Sequence, residues 1–142
     1  MCIQAIINLF KKKELKPSGE LDIATVISII KTKMDKYGDT EYEVYLPDNL
    51  MQKLYTHSEV VDILEFDKTN TIRYQPDLYD CDDFATELFG KGFGLVWTNV
   101  HAFNWFIDKD THELYFIEPQ NDTIAPDIAS WQGRDVRFFL GR

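Results

Sequence analysis

The sequence predicts an α+β fold, with N-terminal helices followed by an antiparallel β-sheet. Apolar residues in the first half of the chain recur at helical spacing, whereas runs of aromatic and β-branched residues fill most of the second half. The helix that begins at Cys81 stands at the boundary between these halves. We therefore expect the cysteine-bearing helix to pack on the sheet.

Length and composition predict one globular domain over residues 1–142, since 44% of the residues are hydrophobic. The chain carries 15 Lys and Arg against 24 Asp and Glu, a net charge of −9. This charge argues against nucleic-acid binding, which needs clustered basic residues. The oligomeric state stays open.

Only two cysteines are present, Cys2 and Cys81, far apart and outside any CxxC pair. This usage favours a reducing compartment over a disulfide-stapled secreted scaffold and makes a structural zinc site unexpected. The apolar N-terminal stretch precedes its lysines, the reverse of a secretory signal, and is too short to span a bilayer. We expect a cytoplasmic protein, in the host cytoplasm if a phage encodes it.

Residues 1–16 are expected to form an N-terminal helical extension, because Ile3, Ile6, Ile7 and Phe10 have helical spacing. This helix packs on the protein's own core or, alternatively, docks on a membrane or partner beside the lysines that follow it.

The strongest helix signal runs from Ser18, the expected N-cap, to a stop at Gly38. Its apolar stripe comprises Ile23, Val26, Ile27, Ile30 and Met34. Residues 44–46 are predicted as a short strand or extended loop before Pro47, and residues 58–66 as a helix capped by Ser58.

The helix at Cys81 is amphipathic and is expected to end near Gly90 or Gly92. Its apolar positions are Cys81, Phe84, Ala85, Leu88 and Phe89. Strands are predicted within residues 93–98, 100–108, 113–118 and 136–140.

A cysteine at a helix start can be activated, because free backbone N–H groups and the helix dipole favour the thiolate. Asp80, Asp82 and Asp83 oppose that effect, and a buried cysteine that completes an apolar stripe is the alternative for Cys81.

The segment from His101 to Glu118 has the pattern of a hairpin. A two-residue turn at Lys109 and Asp110 places Glu118 opposite His101, whereas a four-residue loop, 109–112, places Gln120 there. Residues 118 and 120 share a face, so either register brings a carboxylate or an amide to the imidazole. A histidine and a glutamate with only a structural role are the alternative.

Residues 80–85 (DCDDFA), 101–104 (HAFN) and 117–120 (IEPQ) together resemble the papain-like cysteine peptidase and transglutaminase-like superfamily. They are most similar to small papain-like domains of phages and bacteria and to the protease domain at the C-terminus of a fungal agglutinin. The resemblance covers roughly residues 74–122. It implies a papain-like fold with Cys81 as nucleophile, His101 as base, Glu118 as orienting group and Gln75 as oxyanion donor.

The resemblance further implies a thiol-dependent hydrolase or acyl transferase acting on a peptide or protein amide, with hydrolysis and transamidation both open. No cofactor is expected, although the fungal domain depends on calcium and Asp82, Asp83 and Asp122 would supply oxygen ligands.

Two other functions compete with the thiol enzyme. One is a non-catalytic binding protein of the same fold, a phage-like module that sequesters a partner or ligand. The other is metal-dependent hydrolysis, which lacks the usual ligand spacing. Only 20 positions separate Cys81 from His101, so little chain is left to build a substrate groove. The sequence leaves two alternatives for the tryptophans Trp97, Trp105 and Trp131: they line a cleft, or they belong to the core.

Overall fold

The computed structural model describes residues 16–48 and 50–142. The predicted N-terminal helix over residues 1–16 falls almost entirely outside them. Within the described residues the helices are α1 (Ile23–Asp35), α2 (His57–Phe66) and α3 (Cys81–Lys91). The strands are β1 (Gly19–Asp22), β2 (Glu43–Tyr45), β3 (Met51–Leu54), β4 (Gly94–Thr98), β5 (Ala102–Ile107), β6 (Leu114–Glu118), β7 (Thr123–Ala125) and β8 (Val136–Leu140).

The main sheet has six strands in the order β2-β8-β4-β5-β6-β7. Every neighbouring pair is antiparallel except β2 and β8, which run parallel. A separate two-stranded sheet joins β1 to β3. The predicted α+β class is confirmed, and Val44 and Tyr45 of the predicted segment 44–46 lie in strand β2 at the edge of the main sheet, whereas Leu46 follows the strand.

Helix α1 begins later than the sequence predicts. Residues 19–22 pair with β3, and Asp22 is the N-cap instead of Ser18, since its side chain accepts a 2.9 Å hydrogen bond from the backbone N–H of Thr25. The side chains of Val26, Ile30 and Met34 are fully buried, as the apolar stripe predicts, but Ile27 is 46% exposed.

Helix α2 is capped by Thr56, two positions before the predicted Ser58. The Thr56 hydroxyl accepts from the Glu59 backbone N–H at 3.2 Å, and the Glu59 carboxylate accepts from the Thr56 backbone N–H at 2.8 Å. This reciprocal pair satisfies two N–H groups at the start of the helix, an arrangement that Ser58 does not make here.

Helix α3 runs from Cys81 to Lys91, and Gly92 follows as the C-cap with φ of +120°. Both bounds agree with the sequence. The fully buried Asn104 of β5 fixes the helix to the sheet, because its amide donates to the carbonyl oxygens of Ala85 at 2.9 Å and Gly94 at 3.0 Å. The cysteine-bearing helix therefore packs on the sheet as expected.

The β5–β6 hairpin has the four-residue loop of the second predicted register. Asp108 N–H bonds to the Glu113 carbonyl at 2.9 Å, and Asn104 pairs with Ile117. Continued along the strands, this register sets Gln120 opposite His101. The two-residue turn is wrong because Asp108 organises a longer loop, accepting hydrogen bonds from Asp110 and Thr111.

No helix in the described part of the chain is long and apolar enough to cross a membrane.

Candidate functional site

Cys81 is the first residue of α3, with Asp80 as its extended N-cap. The Asp80 backbone N–H donates to the Asp83 carboxylate at 3.1 Å, which fixes the start of the helix. The thiol is half-buried and packs beside a small apolar cluster that includes Ala85 and Ala102. Cys81 therefore both completes the apolar stripe and stands at the helix start.

Burial raises the pKa of the Cys81 thiol above its ordinary value. A hydrogen bond from the Ala102 backbone N–H to the sulfur opposes this shift, and the charges of Asp80 and Asp82 add to it. The carboxylates flanking the helix start thus act against the helix dipole. The shift favours the neutral thiol over the thiolate.

His101 lies just before β5, and its Nε2 is 2.7 Å from Oε2 of Glu118. The His101 side chain is 10% exposed and that of Glu118 is 3% exposed, so Glu118 is buried and a small part of the imidazole reaches the surface. Glu118 also accepts from the Gln120 backbone N–H at 3.3 Å and lies 3.4 Å from the amide of Gln132. The structure thus brings together two of the predicted site residues, His101 and Glu118.

The imidazole of His101 contacts two aromatic rings. The Phe103 ring stacks at 5.8 Å with an interplanar angle of 24°, and the Trp131 ring is tilted by 60° at 5.4 Å. Phe103 is fully buried, whereas Trp131 is 58% exposed. The site therefore has one solvent-facing aromatic surface.

Trp131 lies in the short 3₁₀ turn Ser130–Gln132, and its neighbour Gln132 anchors that turn. The buried Thr98 hydroxyl donates to the Gln132 carbonyl at 2.6 Å and accepts from the His101 backbone N–H at 3.0 Å. One hydroxyl therefore joins the loop before β5 to the turn that carries Trp131. Sequence reasoning named Trp131 only as one of three tryptophans for a cleft; Trp105 is fully buried and belongs to the core.

Gln75 is exposed, in a tight turn whose backbone is closed by a 2.9 Å bond from its own N–H to the Tyr79 carbonyl. Within the described residues its hydrogen bonds are those of its backbone. Its membership of the site stays a prediction.

The three predicted calcium ligands fall into two groups, because Asp82 and Asp83 lie in the first turn of α3 and Asp122 lies outside that helix. One oxygen each of Asp80 and Asp82 and the Cys81 sulfur lie within 4.8 Å of one another, and a hydrogen bond with Asp80 raises the pKa of Asp82. Asp122 lies in the β6–β7 turn, where it accepts a 2.7 Å bond from Asn70. Calcium dependence stays a prediction.

No family model matches the chain, and no curated protein matches it. Several solved structures share its fold, and two of them are described here. One, PSL1a in complex with E64, has a TM-score of 0.71 and 22% identity, covering 85% of this chain and 50% of that one. The other is Polyporus squamosus lectin bound to the human-type influenza-binding epitope Neu5Acα2-6Galβ1-4GlcNAc, with a TM-score of 0.67 and 21% identity, covering 85% and 49%.

These neighbours contradict the papain-like and transglutaminase-like assignment made from the three sequence segments. These neighbours are lectin chains. The prediction of a thiol hydrolase or acyl transferase, with a catalytic triad and a peptide substrate, is therefore wrong. The raised pKa of Cys81 agrees with the correction, because a neutral thiol is a poor nucleophile. Short stretches around a cysteine, a histidine and an acid were insufficient to assign the family. The chain has the fold of these lectin chains and spans about half of their length.

Proposed function

We propose that this chain is a non-catalytic module that sequesters a carbohydrate at the surface formed by Trp131, His101 and Cys81. The observation that carries the proposal is the exposed indole of Trp131 beside an imidazole that Glu118 holds in place. The fold shared with a glycan-bound lectin chain supports the same ligand class.

An exposed aromatic ring beside fixed polar groups suits a sugar. The C–H face of a pyranose packs on an aromatic face, while its hydroxyl groups need oriented hydrogen-bonding partners. Glu118 engages Nε2 of His101, and among the described residues Nδ1 of that ring has no hydrogen-bonding partner. Trp131 would supply the stacking surface, and Nδ1 would supply a polar anchor.

The state of Cys81 supports binding over covalent chemistry. Its pKa is raised, with burial as the largest cause and the charges of Asp80 and Asp82 adding to the shift. A neutral thiol would act as a small apolar contact at the edge of the site.

Electrostatics favour a neutral sugar over a sialylated one. The chain carries a net charge of −9, and Asp80, Asp82 and Glu118 lie around Cys81 and His101. A ligand carboxylate would meet like charge there. We expect Galβ1-4GlcNAc to bind more tightly than Neu5Acα2-6Galβ1-4GlcNAc at low ionic strength, with the difference narrowing as salt is added.

Calorimetric titration with these two glycans, together with an immobilised panel of neutral glycans, tests the proposal. Trp131→Ala should weaken binding by roughly tenfold or more, as expected for a central aromatic contact. Tyr45→Ala is the matched control, because Tyr45 is 52% exposed on the edge strand β2. Folded protein that binds no glycan of the panel, or that binds equally well without Trp131, would overturn it.

A further inference from the structure

A polar cleft of about 500 Å³ opens between the segment after α1, the loop before β5 and the start of β8. Its lining includes Asp39, Glu41, Asn99, Arg134, Asp135 and Arg137. The volume lies in the range of roughly 300–1,000 Å³ that small-molecule sites occupy. The cleft contains none of the three residues to which the glycan site was assigned.

Hydrogen bonds fix the walls of this cleft. Asn99 donates to Asp135 twice, from its backbone N–H to the carbonyl at 3.0 Å and from its amide to the carboxylate at 3.2 Å. The Val136 backbone N–H donates to the Asp39 carboxylate at 2.8 Å, which ties the segment after α1 to β8. Gly133 has φ of +83°, and a Cβ there would lie 2.7 Å from the Asn99 side-chain oxygen. The walls are thus held together without any ligand.

Some of the charged side chains in the cleft take no part in these hydrogen bonds. The guanidinium of Arg134 lies over the Tyr37 ring, 5.0 Å from its centre, and this contact positions it. Within residues 16–48 and 50–142, neither Arg134 nor Arg137 forms an ion pair, and the Glu41 carboxylate has no hydrogen-bond donor. Unpaired groups of both signs therefore line one cleft.

The numbers of acidic and basic residues in the cleft indicate the class of ligand that would fit it. Three acidic residues and two arginines line the cleft, so a dianion would be repelled and a simple cation would leave the arginines without a partner. A guanidinium binds a carboxylate through paired N–H groups, and a carboxylate accepts from an ammonium. We propose that this cleft binds a free α-amino acid, its carboxylate on Arg134 and Arg137 and its ammonium on Glu41 and Asp135.

The test is a calorimetric or NMR titration of the full chain with the twenty common L-amino acids. The tightest binder is then compared with its N-acetyl derivative, which lacks the ammonium, and with its amide, which lacks the carboxylate. Each derivative should bind at least tenfold more weakly than the amino acid, as expected for losing a charge-assisted contact. Binding by none of the twenty, or unchanged affinity for both derivatives, would overturn the proposal.

Two variants test which residue of the cleft contacts which charged group of the amino acid. Arg134→Gln should weaken binding of the amino acid at least tenfold and leave the affinity for the amide unchanged, since the amide lacks the group that Arg134 contacts. Glu41→Gln should likewise weaken binding of the amino acid at least tenfold and leave the affinity for the N-acetyl derivative unchanged, since that derivative lacks the ammonium that Glu41 contacts. Arg73→Gln is the matched control, because Arg73 is also exposed but does not line the cleft. If Arg134→Gln and Arg73→Gln have equal effects, the cleft is not the site.

Discussion

His101 and Glu118 hydrogen-bond along a diagonal of the β5–β6 hairpin, at 2.7 Å, instead of directly across it. The register set by the Asn104–Ile117 pair continues to place Phe103 opposite Glu118 and Gln120 opposite His101. Diagonal neighbours on one face lie within reach of long side chains. The contact leaves the imidazole against Phe103 and Trp131, with Nε2 occupied and the thiol of Cys81 bonded instead by the Ala102 backbone.

Cys81 is expected to react as an ordinary buried thiol. Its raised pKa favours the neutral thiol, so in a Cys2→Ser background alkylation by iodoacetamide at pH 7 should be slower than that of free cysteine. The rate should still rise with pH above about 8.5, the ordinary value for cysteine. His101→Ala should leave the profile unchanged, because the Cys81 sulfur accepts its hydrogen bond from the Ala102 backbone while His101 is engaged by Glu118. Alkylation rates across pH 4 to 9 measure this.

An activated cysteine would give the opposite alkylation profile. Fast labelling well below pH 8 that collapses on loss of His101 would demonstrate a thiolate–imidazolium pair. That outcome would overturn the non-catalytic function proposed for the chain and would restore a thiol enzyme.

Asp108 is expected to be a major stabilising residue of the hairpin loop. The side chain is 4% exposed and accepts from the backbone N–H groups of His57, Asp110 and Thr111 at 2.8, 3.1 and 2.8 Å. Asp108→Asn replaces one acceptor oxygen by a donor and should lower the free energy of unfolding by about 2–3 kcal/mol at pH 7. Urea unfolding measures it, and Asp110→Asn, an exposed carboxylate on the same loop, is the control.

The effect of Asp108 should depend on pH. Burial raises its pKa, but the hydrogen bonds from Thr111, His57 and Asp110 outweigh burial, so the folded-state pKa lies below the ordinary value. Stability from a depressed carboxyl pKa is present above the unfolded-state value and is lost as pH falls through the folded-state value. The difference between wild type and Asp108→Asn should therefore shrink below pH 4. A difference that stays constant from pH 7 to pH 2 would contradict this account.

Local patterns predicted the elements whose partners are close in sequence. The stripe of α3 and the stop at Gly92 are set by the helix itself, and the β5–β6 hairpin is set by its own loop. The pairing of β1 with β3 joins residues about 30 positions apart and has no alternating pattern, so the sequence predicted a longer helix in its place. Strand β7 was missed for the related reason that three residues carry too little periodicity.

The candidate site was predictable in part. His101 and Glu118 share a hairpin, so either register brought an acceptor to the imidazole. Trp131 comes from a turn 30 residues after His101, and its placement depends on the Thr98 hydroxyl, a tertiary contact that no periodicity reveals. The protonation of Cys81 also depends on burial, which is a property of the packed structure.

Gly94 should tolerate no side chain, unlike Gly90. A Cβ on Gly94 would lie 2.2 Å from the ring of Trp105, which is fully buried and donates to the Leu95 carbonyl at 3.1 Å. Gly94→Ala should therefore lower the free energy of unfolding by about 2–3 kcal/mol through overpacking. Gly90 lies in α3, where a Cβ would meet no atom within 4 Å, so Gly90→Ala should raise it by about 0.5–1 kcal/mol. Thermal and urea unfolding of the two variants compare them, and equal effects would contradict the packing of Trp105 against β4.

Asp122 is expected to destabilise the folded protein at neutral pH. Burial, reinforced by the charge of Asp67, raises its pKa from 3.8 to about 6. Between these values the folded state binds more protons than the unfolded state, so the contribution of Asp122 to stability falls as pH rises through that window. Asp122→Asn keeps an acceptor for Asn70 and suits the φ of +59°, since asparagine adopts the left-handed region readily. The substitution should raise the free energy of unfolding by about 1 kcal/mol at pH 8, after allowance for solvent screening, and by almost nothing at pH 4. Urea unfolding at the two pH values measures the difference, and a gain of equal size at both would show that the charge of Asp122 is not its cause.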